Sequence, residues 1–103
     1  MSVTMRIIPQ FDAPNEAEFM RLEREFAKLE ARRGDYPKGK RMQPISAALP
    51  CNTFIWQCEF PDVQSAHEAL SFFHGDAEHE ALFDQQGPLI RDVRIEFYEN
   101  LEF

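Results

Sequence analysis

The sequence has no long apolar run, only two cysteines, and few basic residues in its second half. A helix that crosses a bilayer needs about 20 consecutive apolar residues, and no stretch of the 103 residues approaches that length. The first residues, from Met1 to Arg6, include no apolar signal core. We therefore expect no membrane partner and a cytoplasmic protein.

The two cysteines, Cys51 and Cys58, are seven positions apart. In an extended chain this spacing separates them by about 20 Å, at roughly 3.3 Å per residue. A disulfide needs Cα atoms within about 7 Å, so the two cannot bridge within one chain. We expect both thiols to be reduced, and Cys58 to be a small buried core residue.

The net charge of −7 is unevenly spread along the chain. Residues 1–50 contain nine lysines and arginines against seven acids, whereas residues 51–103 contain two against eleven. A protein that binds the phosphates of a nucleic acid needs a surface with net positive charge, so we expect no nucleic-acid partner. A basic cluster between positions 28 and 41 is interpreted as a solvated helix end and loop. The cluster comprises Lys28, Arg32, Arg33, Lys38, Lys40 and Arg41.

What the sequence does have is a hydrophobic fraction of 44% and ten phenylalanines, enough to pack one domain over residues 1–103. Its centre is the stretch from Thr53 to Phe60, in which bulky residues recur at every second position. A period of two is typical of a β-strand with one apolar face. We expect Phe54, Trp56, Cys58 and Phe60 to form that face.

The first half of the chain predicts a strand and a helix before this central strand. Val3 to Ile8 is rich in β-branched residues and is closed by Pro9, which indicates a first strand. Apolar residues at helical spacing predict a helix from Asn15 to Arg33. Asn15 and Glu18 have the spacing of a capping box at its start.

The other elements follow from the same signals. A weakly apolar edge strand from Arg41 to Leu49 should pair with the central strand as a hairpin. Pro61 and Asp62 begin a second helix that Gly75 interrupts, and Asp76 caps a short helix through Gln85. Alternation from Arg91 to Tyr98 predicts the last strand. The helix residues predicted to face inward are Val63, Ala66, Leu70, Phe73, Ala81, Leu82 and Phe83.

The order strand, helix, strand, strand, helix, strand predicts an α+β, ferredoxin-like βαββαβ fold, a four-stranded antiparallel sheet with helices on one face. The helices should cover the apolar face of the sheet, including Val93, Ile95 and Phe97 of the last strand. The opposite face mixes aliphatic and charged residues, and one copy of the chain would leave it open to water. This open face comprises Thr4, Arg6, Ile8, Thr53, Ile55, Gln57, Glu59, Arg94, Glu96 and Tyr98.

Residues 52–99 resemble the second half of dimeric α/β-barrel proteins. The resemblance rests on Asn52 to Phe60, on the run Ser65-Ala66-His67-Glu68-Ala69-Leu70, and on Gly75 to Phe83. Within that superfamily the stretch is similar to NIPSNAP-like and antibiotic-biosynthesis-monooxygenase-like proteins. The resemblance implies a homodimer in which two sheets face each other and enclose a cavity for a small-molecule ligand.

The candidate site residues are therefore the polar ones on the open face. In one interpretation they form cross-strand ion pairs and hydrogen bonds that stabilise an interface. In the other, an arginine holds an anionic or enolate oxygen while a carboxylate or the tyrosine moves a proton. The candidates for these catalytic roles are Arg6, Glu59, Arg94, Glu96 and Tyr98.

The histidines do not indicate a metal site. His74, Glu78 and His79 read H-x-x-x-E-H, which differs from the spacing of helical zinc hydrolases. Haem-degrading relatives use an asparagine on the first strand, which is absent here, and a late-helix histidine, whose position falls on Leu82. We expect no metal and no cofactor, and we interpret His67 as a surface residue.

Two functions of different classes remain. The first is a cofactor-independent, monooxygenase-like or isomerase-like enzyme that acts on a small organic acid or phenol by proton transfer. The second is a non-catalytic ligand-binding or structural homodimer. An empty, water-connected cavity lined by Arg6, Glu59 and Tyr98 would favour the first, and a cavity filled by side chains the second. An RNA-binding domain of the same topology is disfavoured by the acidic charge.

Overall fold

The computed structural model describes all 103 residues. Its helices and strands are β1 (Val3–Phe11), α1 (Glu16–Arg32), β2 (Lys40–Met42), β3 (Ile55–Phe60), α2 (Val63–Gly75), α3 (Ala77–Gln86) and β4 (Ile90–Glu99). The four strands form one antiparallel sheet in the order β2-β3-β1-β4. The predicted α+β, ferredoxin-like fold is therefore confirmed. Each helix is too short or too polar to cross a bilayer.

The core lies between the helices and the apolar face of the sheet. Phe54, Trp56, Cys58 and Phe60 are all buried there, together with Met5 of β1. The predicted apolar face of the central strand is thus confirmed, and Cys58 is a free, buried thiol. Burial raises the pKa of this thiol, which keeps it in its unreactive protonated form.

Strand β1 is longer than predicted, because it continues through Pro9 to Phe11. The carbonyl of Pro9 stays in the sheet and accepts a hydrogen bond of 2.9 Å from the backbone N–H of Phe54. A proline has no N–H, so Pro9 cannot donate a second hydrogen bond to the backbone of Phe54. The ladder between β1 and β3 is therefore interrupted at this point, and β3 begins only at Ile55.

The predicted edge strand is in the wrong place. Strand β2 spans Lys40–Met42, whereas the prediction ran from Arg41 to Leu49. Pro44 lies just beyond its end, and a proline cannot donate to a ladder. Strand β2 does pair antiparallel with β3 at the sheet edge, as predicted. A long link over residues 43–54 takes the place of the expected tight hairpin.

The helix starts differ in how they are capped. Asp62 accepts a hydrogen bond of 2.7 Å from the N–H of Ser65, and Asp76 caps α3 as predicted. The capping box at the start of α1 is wrong, because the side chain of Asn15 makes no capping hydrogen bond. Glu18, its expected partner, is bonded to Arg21 instead. A short 3-10 turn leads into α1 in its place.

Two helix residues predicted to face inward, Val63 of α2 and Ala81 of α3, face solvent instead. Phe83 of α3 is 42% exposed, but its side chain lines the space between the helices and the sheet, as predicted. Helix α3 buries Gln86 instead. Its sequence, AEHEALFDQQ, has no continuous apolar stripe, so the spacing of its apolar residues could not define its inner face.

The helices leave β4 partly uncovered, contrary to the prediction. The helix-side residues Val93, Ile95 and Phe97 are 50%, 44% and 36% exposed. Helix α2 packs over β1 and β3 rather than over β4. His67 of α2 does reach β4, where its ring centroid lies 4.7 Å from that of Phe97.

Candidate functional site

Four of the five predicted site residues form one connected group on the open face. The guanidinium of Arg6 lies 5.1 Å from the ring centroid of Tyr98, and its Nε donates a 2.8 Å hydrogen bond to Gln57. Glu96 accepts hydrogen bonds from the hydroxyl of Tyr98 at 2.7 Å and from Arg94 Nη2 at 2.6 Å. The predicted adjacency of these side chains follows directly from the β1–β4 register.

Glu59 is held apart from that group. Its Oε1 accepts a hydrogen bond of 3.3 Å from Asn100 Nδ2, and Asn100 in turn accepts one of 2.8 Å from the hydroxyl of Thr4.

The hydrogen bond from Tyr98 to Glu96 raises the pKa of the phenol. Tyr98 therefore acts as a hydrogen-bond donor here and is poorly suited to accept a proton.

A cavity of about 210 Å³ lies on the other side of the sheet, between the sheet and the three helices. None of the five predicted site residues lines it. Because Val93 and Ile95 line the cavity and are about half exposed, it opens to solvent beside β4. Most of its lining is apolar, and its aromatic walls are Phe26, Phe54, Trp56, Phe73 and Phe83.

A chain of hydrogen bonds forms one polar wall of this cavity. Gln86 Nε2 donates to Glu23 Oε1 at 2.8 Å. Arg41 joins the two carboxylates, through Nε to Glu23 Oε2 at 3.4 Å and through Nη1 to Glu30 Oε2 at 3.2 Å. Trp56 Nε1 completes the chain by donating to Glu30 Oε1 at 3.0 Å. Residues from four elements are thereby linked beside the aromatic walls.

Glu23 is the most informative group of this wall. Only 13% of its side chain is exposed. Burial raises the pKa of Glu23, while the hydrogen bond from Gln86 and the charge of Arg41 partly oppose the rise. A carboxyl group with a raised pKa inside a cavity can exchange a proton closer to neutral pH than an ordinary glutamate can.

His79 is the second titratable group that faces the cavity. Its ring stacks on Phe73 at a centroid distance of 5.1 Å, and burial lowers its pKa, so the neutral imidazole is favoured. Nδ1 lies 3.4 Å from Glu80 Oε1, an acceptor, which favours the ring proton on Nδ1. Nε2 has no partner within the protein and is not sealed from solvent. It is therefore free to accept a hydrogen bond.

Tyr36 connects the end of α1 to the start of α3. Its hydroxyl donates a 2.5 Å hydrogen bond to Asp76, which also pairs with Arg33 at 2.7 Å. The same carboxylate accepts a hydrogen bond of 3.1 Å from the backbone N–H of His79. These contacts, chiefly the one from Tyr36, lower the pKa of Asp76 to about 2. The arrangement anchors the first turn of α3, on which His79 lies.

The prediction of a solvated basic cluster is confirmed for the exposed Lys28, Arg32, Lys38 and Lys40 and is wrong for the other two residues. The side chains of Arg33 and Arg41 are only 22% exposed, because both pair with acids. Lys38 donates to the carbonyl oxygens of Glu30 and Arg33 at the end of α1. No group of three or more His, Cys, Asp or Glu side chains is placed to hold a metal ion.

Solved structures with the same fold include members of two groups of proteins. A NIPSNAP family protein from Agrobacterium tumefaciens has a TM-score of 0.80 at 14% identity, over 99% of this chain and 88% of that one. An uncharacterized NIPSNAP domain protein from Burkholderia xenovorans has a TM-score of 0.79 at 16% identity, over 100% and 97%. An antibiotic biosynthesis monooxygenase has a TM-score of 0.71 at 13% identity, over 97% and 99%.

These likenesses confirm the resemblance at the level of fold, since structural neighbours of both kinds are ferredoxin-like. No protein-family model matches the chain, and no curated protein matches it either. A shared fold does not carry an activity with it. The function must therefore be argued from the cavity.

The sequence reasoning missed the polar wall, although α1 contained a signal. Glu23 lies four positions after Phe19, and Glu30 lies four positions after Phe26. Both acids are therefore on the inner face of the helix, where a charged side chain needs a partner. No comparable signal marked Arg41, whose role depends on the position of the short edge strand.

Proposed function

We propose that the chain binds a small, flat, mostly apolar ring compound in the cavity beside Trp56 and exchanges a proton with it without a bound cofactor. The observation that supports this is an aromatic, solvent-connected cavity whose few polar groups include Glu23 and His79. Small-molecule sites are usually apolar clefts with a small number of placed polar groups. A phenol fits this lining, because its ring packs on the aromatic walls and its hydroxyl donates to His79 Nε2.

His79 is the residue suited to remove the proton. Its lowered pKa keeps it unprotonated at neutral pH, and Nε2 is free to accept. The phenolate that results is electron-rich, and its ring carbon can be reprotonated in an isomerisation. His79, which then holds the proton of the phenol, is suited to return it. Alternatively, dioxygen can oxidise that carbon, so that the ring C–H becomes a quinone carbonyl and the second oxygen atom leaves as water.

4-Nitrophenol tests the proposal, because its anion absorbs visible light and its proton state can be read directly. Trp56, the only tryptophan, lines the cavity, so quenching of its fluorescence reports binding. We expect saturable quenching by 4-nitrophenol, together with increased phenolate absorbance. 4-Nitroanisole, which has no hydroxyl proton, should bind without an absorbance change.

The variant His79→Gln should still bind 4-nitrophenol but lose the increase in phenolate absorbance. His67→Gln is the matched control, since His67 lies on α2 and does not line the cavity. It should behave like the wild type. Absence of saturable quenching would contradict ligand binding at the cavity. Binding without any proton transfer would favour the non-catalytic alternative.

We also propose that a second copy covers the open face and forms a homodimer, as the resemblance implies. The supporting observation is the connected group of Arg6, Arg94, Glu96 and Tyr98, in which Arg94 and Tyr98 are exposed to solvent. In this proposal the group, together with Glu59, serves the interface. The catalytic role predicted for these five residues stays a prediction.

Sedimentation at micromolar concentration tests the homodimer, which should have twice the mass of one chain. Arg94→Glu places a negative charge beside Glu96 and should shift the species toward the monomer. The control is Arg91→Glu on the same strand, where Arg91 pairs with the exposed Asp12 instead. A wild-type monomer at that concentration would contradict the proposal.

A further inference from the structure

The polar wall of the cavity has a charge imbalance. It contains two carboxylates, Glu23 and Glu30, and one guanidinium, that of Arg41. Arg41 donates to both acids, so its charge is already shared between them. No lysine lines the cavity. A ligand with a carboxylate would therefore lose its hydration without gaining an unpaired cation, which is unfavourable in a partly buried site.

The two histidines of the lining do not change this balance. His79 is kept neutral by burial, as its lowered pKa shows. His74 is exposed at the rim, where water and salt screen any charge that it carries. Neither residue offers an organic acid a buried positive partner, because a carboxylate brings no proton to His79. A phenol differs, since the proton that it gives up makes His79 a cation beside the phenolate.

Glu23 can accept a further donor. Its Oε1 receives the 2.8 Å hydrogen bond from Gln86, but Oε2 receives only a 3.4 Å contact from Arg41. An ionised carboxylate has about four acceptor positions. An ammonium group on a ligand can therefore bond to Oε2, and charge-assisted hydrogen bonds of this kind are among the stronger ones. The faces of the aromatic walls also favour a cation.

We propose that Glu23 determines the specificity of this cavity, and that its ligand is a ring compound that carries a protonated amine and not a carboxylate. The inference depends on the proposed function, because the ligand must first enter the cavity. Within that function the inference narrows the class of substrate. The sequence led us to expect an organic acid or a phenol; the cavity excludes the acids and favours a ring that also carries an amino group.

Three probes of similar shape and different charge test the inference through the fluorescence of Trp56. They are 4-nitrobenzylamine, which is a cation, 4-nitrobenzyl alcohol, which is neutral, and the anion of (4-nitrophenyl)acetic acid, all measured at pH 7 and low salt. The amine should bind most tightly and the acid least, with about a tenfold or greater difference between them because only the amine gains a charge-assisted bond. Equal or tighter binding of the acid or the alcohol would overturn the inference. Failure of all three to bind would instead overturn the proposed function.

The variant Glu23→Gln should remove the preference, so that the amine and the alcohol bind within about twofold of each other. The ratio of the two affinities is read because a general loss of stability affects both. Glu25→Gln on the same helix is the matched control, since Glu25 pairs with Lys28 and does not line the cavity. Glu23→Asp, which keeps the charge, should retain part of the preference. Retention of the full preference by Glu23→Gln would contradict the role of Glu23. If these variants do not fold, the order in which the wild type binds the three probes still tests the inference.

Discussion

Gln86 Nε2 donates a 2.8 Å hydrogen bond to Glu23 Oε1 and so joins the last turn of α3 to the middle of α1. Gln86 is only 4% exposed, which is unusual for a glutamine. Its amide supplies the shortest hydrogen bond that the buried carboxylate receives. The side chain of Gln86 thus packs α3 against α1 and also stabilises the carboxylate of Glu23 in the cavity wall.

The variant Gln86→Leu should lower the free energy of unfolding by about 1.5–3 kcal/mol, because a buried carboxylate loses a donor. Urea denaturation followed by circular dichroism measures the loss. Gln85→Leu is the control: Gln85 is exposed and makes only a 3.5 Å contact within its own helix. That substitution should change stability by no more than about 0.5 kcal/mol. Similar losses in both variants would show that the bond to Glu23 is not the cause.

Gly39 and Gly34 provide a matched pair. A Cβ atom at position 39 would lie 2.3 Å from Nε1 of Trp56, whereas at position 34 it would meet nothing within 4 Å. We expect Gly39→Ala to cost about 1–3 kcal/mol of stability, as overpacking does, and to shift the fluorescence maximum of Trp56. Gly34→Ala should leave the fluorescence unchanged. An unshifted spectrum in Gly39→Ala would contradict the close approach of this backbone to the indole ring.

The pKa of Asp76, lowered to about 2 from an ordinary value of 3.8, predicts a pH-dependent stability. A carboxyl group whose pKa is lowered by folding stabilises the fold above its unfolded pKa, and this contribution is lost as the pH falls through the folded value. The wild type should therefore be more stable than Asp76→Asn at neutral pH. The difference should shrink as the pH falls from about 4 to about 2.

Thermal unfolding of both proteins across this pH range provides the measurement. Asp84→Asn, an exposed substitution on the same helix, is the control for the removal of one negative charge. A difference between the wild type and Asp76→Asn that stays constant down to about pH 2 would contradict the assignment of the acid-sensitive contribution to this carboxyl group.

The contribution of Glu23 to stability should depend on pH in the opposite direction to that of Asp76. Because its pKa is raised by folding, it contributes stability below its ordinary pKa of 4.5 and loses that contribution as the pH rises through the folded value. The stability of Glu23→Gln relative to the wild type should therefore increase as the pH rises from acid to neutral. Parallel stability curves for the two proteins would argue that Glu23 is not buried in the way described.

The fold was predictable because its main signals are local. Alternation along the chain identified the inner face of β3, and aspartates in front of two apolar segments identified the starts of α2 and α3. The signal failed where a proline interrupts the pattern. Pro9 suggested the end of a strand that continues, and the register of β2 depends on pairing with β3 rather than on its own sequence.

The cavity could not be predicted in the same way. Its polar wall depends on contacts between distant positions, such as Glu23 with Gln86 and Trp56 with Glu30, which no local period encodes. The strand pairing behind the open face was predicted correctly, because a register defines which residues are neighbours. Ile8 and Thr53 were wrongly placed among its solvent-exposed residues, since both are buried. A cavity of about 210 Å³ nevertheless lies on the opposite side of the sheet, where three helices pack without filling the space.

One NMR signal tests the central claim that the ligand site lies between the helices and the sheet. Trp56 is the only tryptophan, so its indole N–H gives a single cross-peak, and this group donates to Glu30 in the cavity wall. Addition of 4-nitrophenol should shift that cross-peak saturably, while the side-chain amide signals of Asn100 on the open face stay in place. An unmoved indole signal together with shifted signals from Asn100 would contradict the account and place the site on the open face.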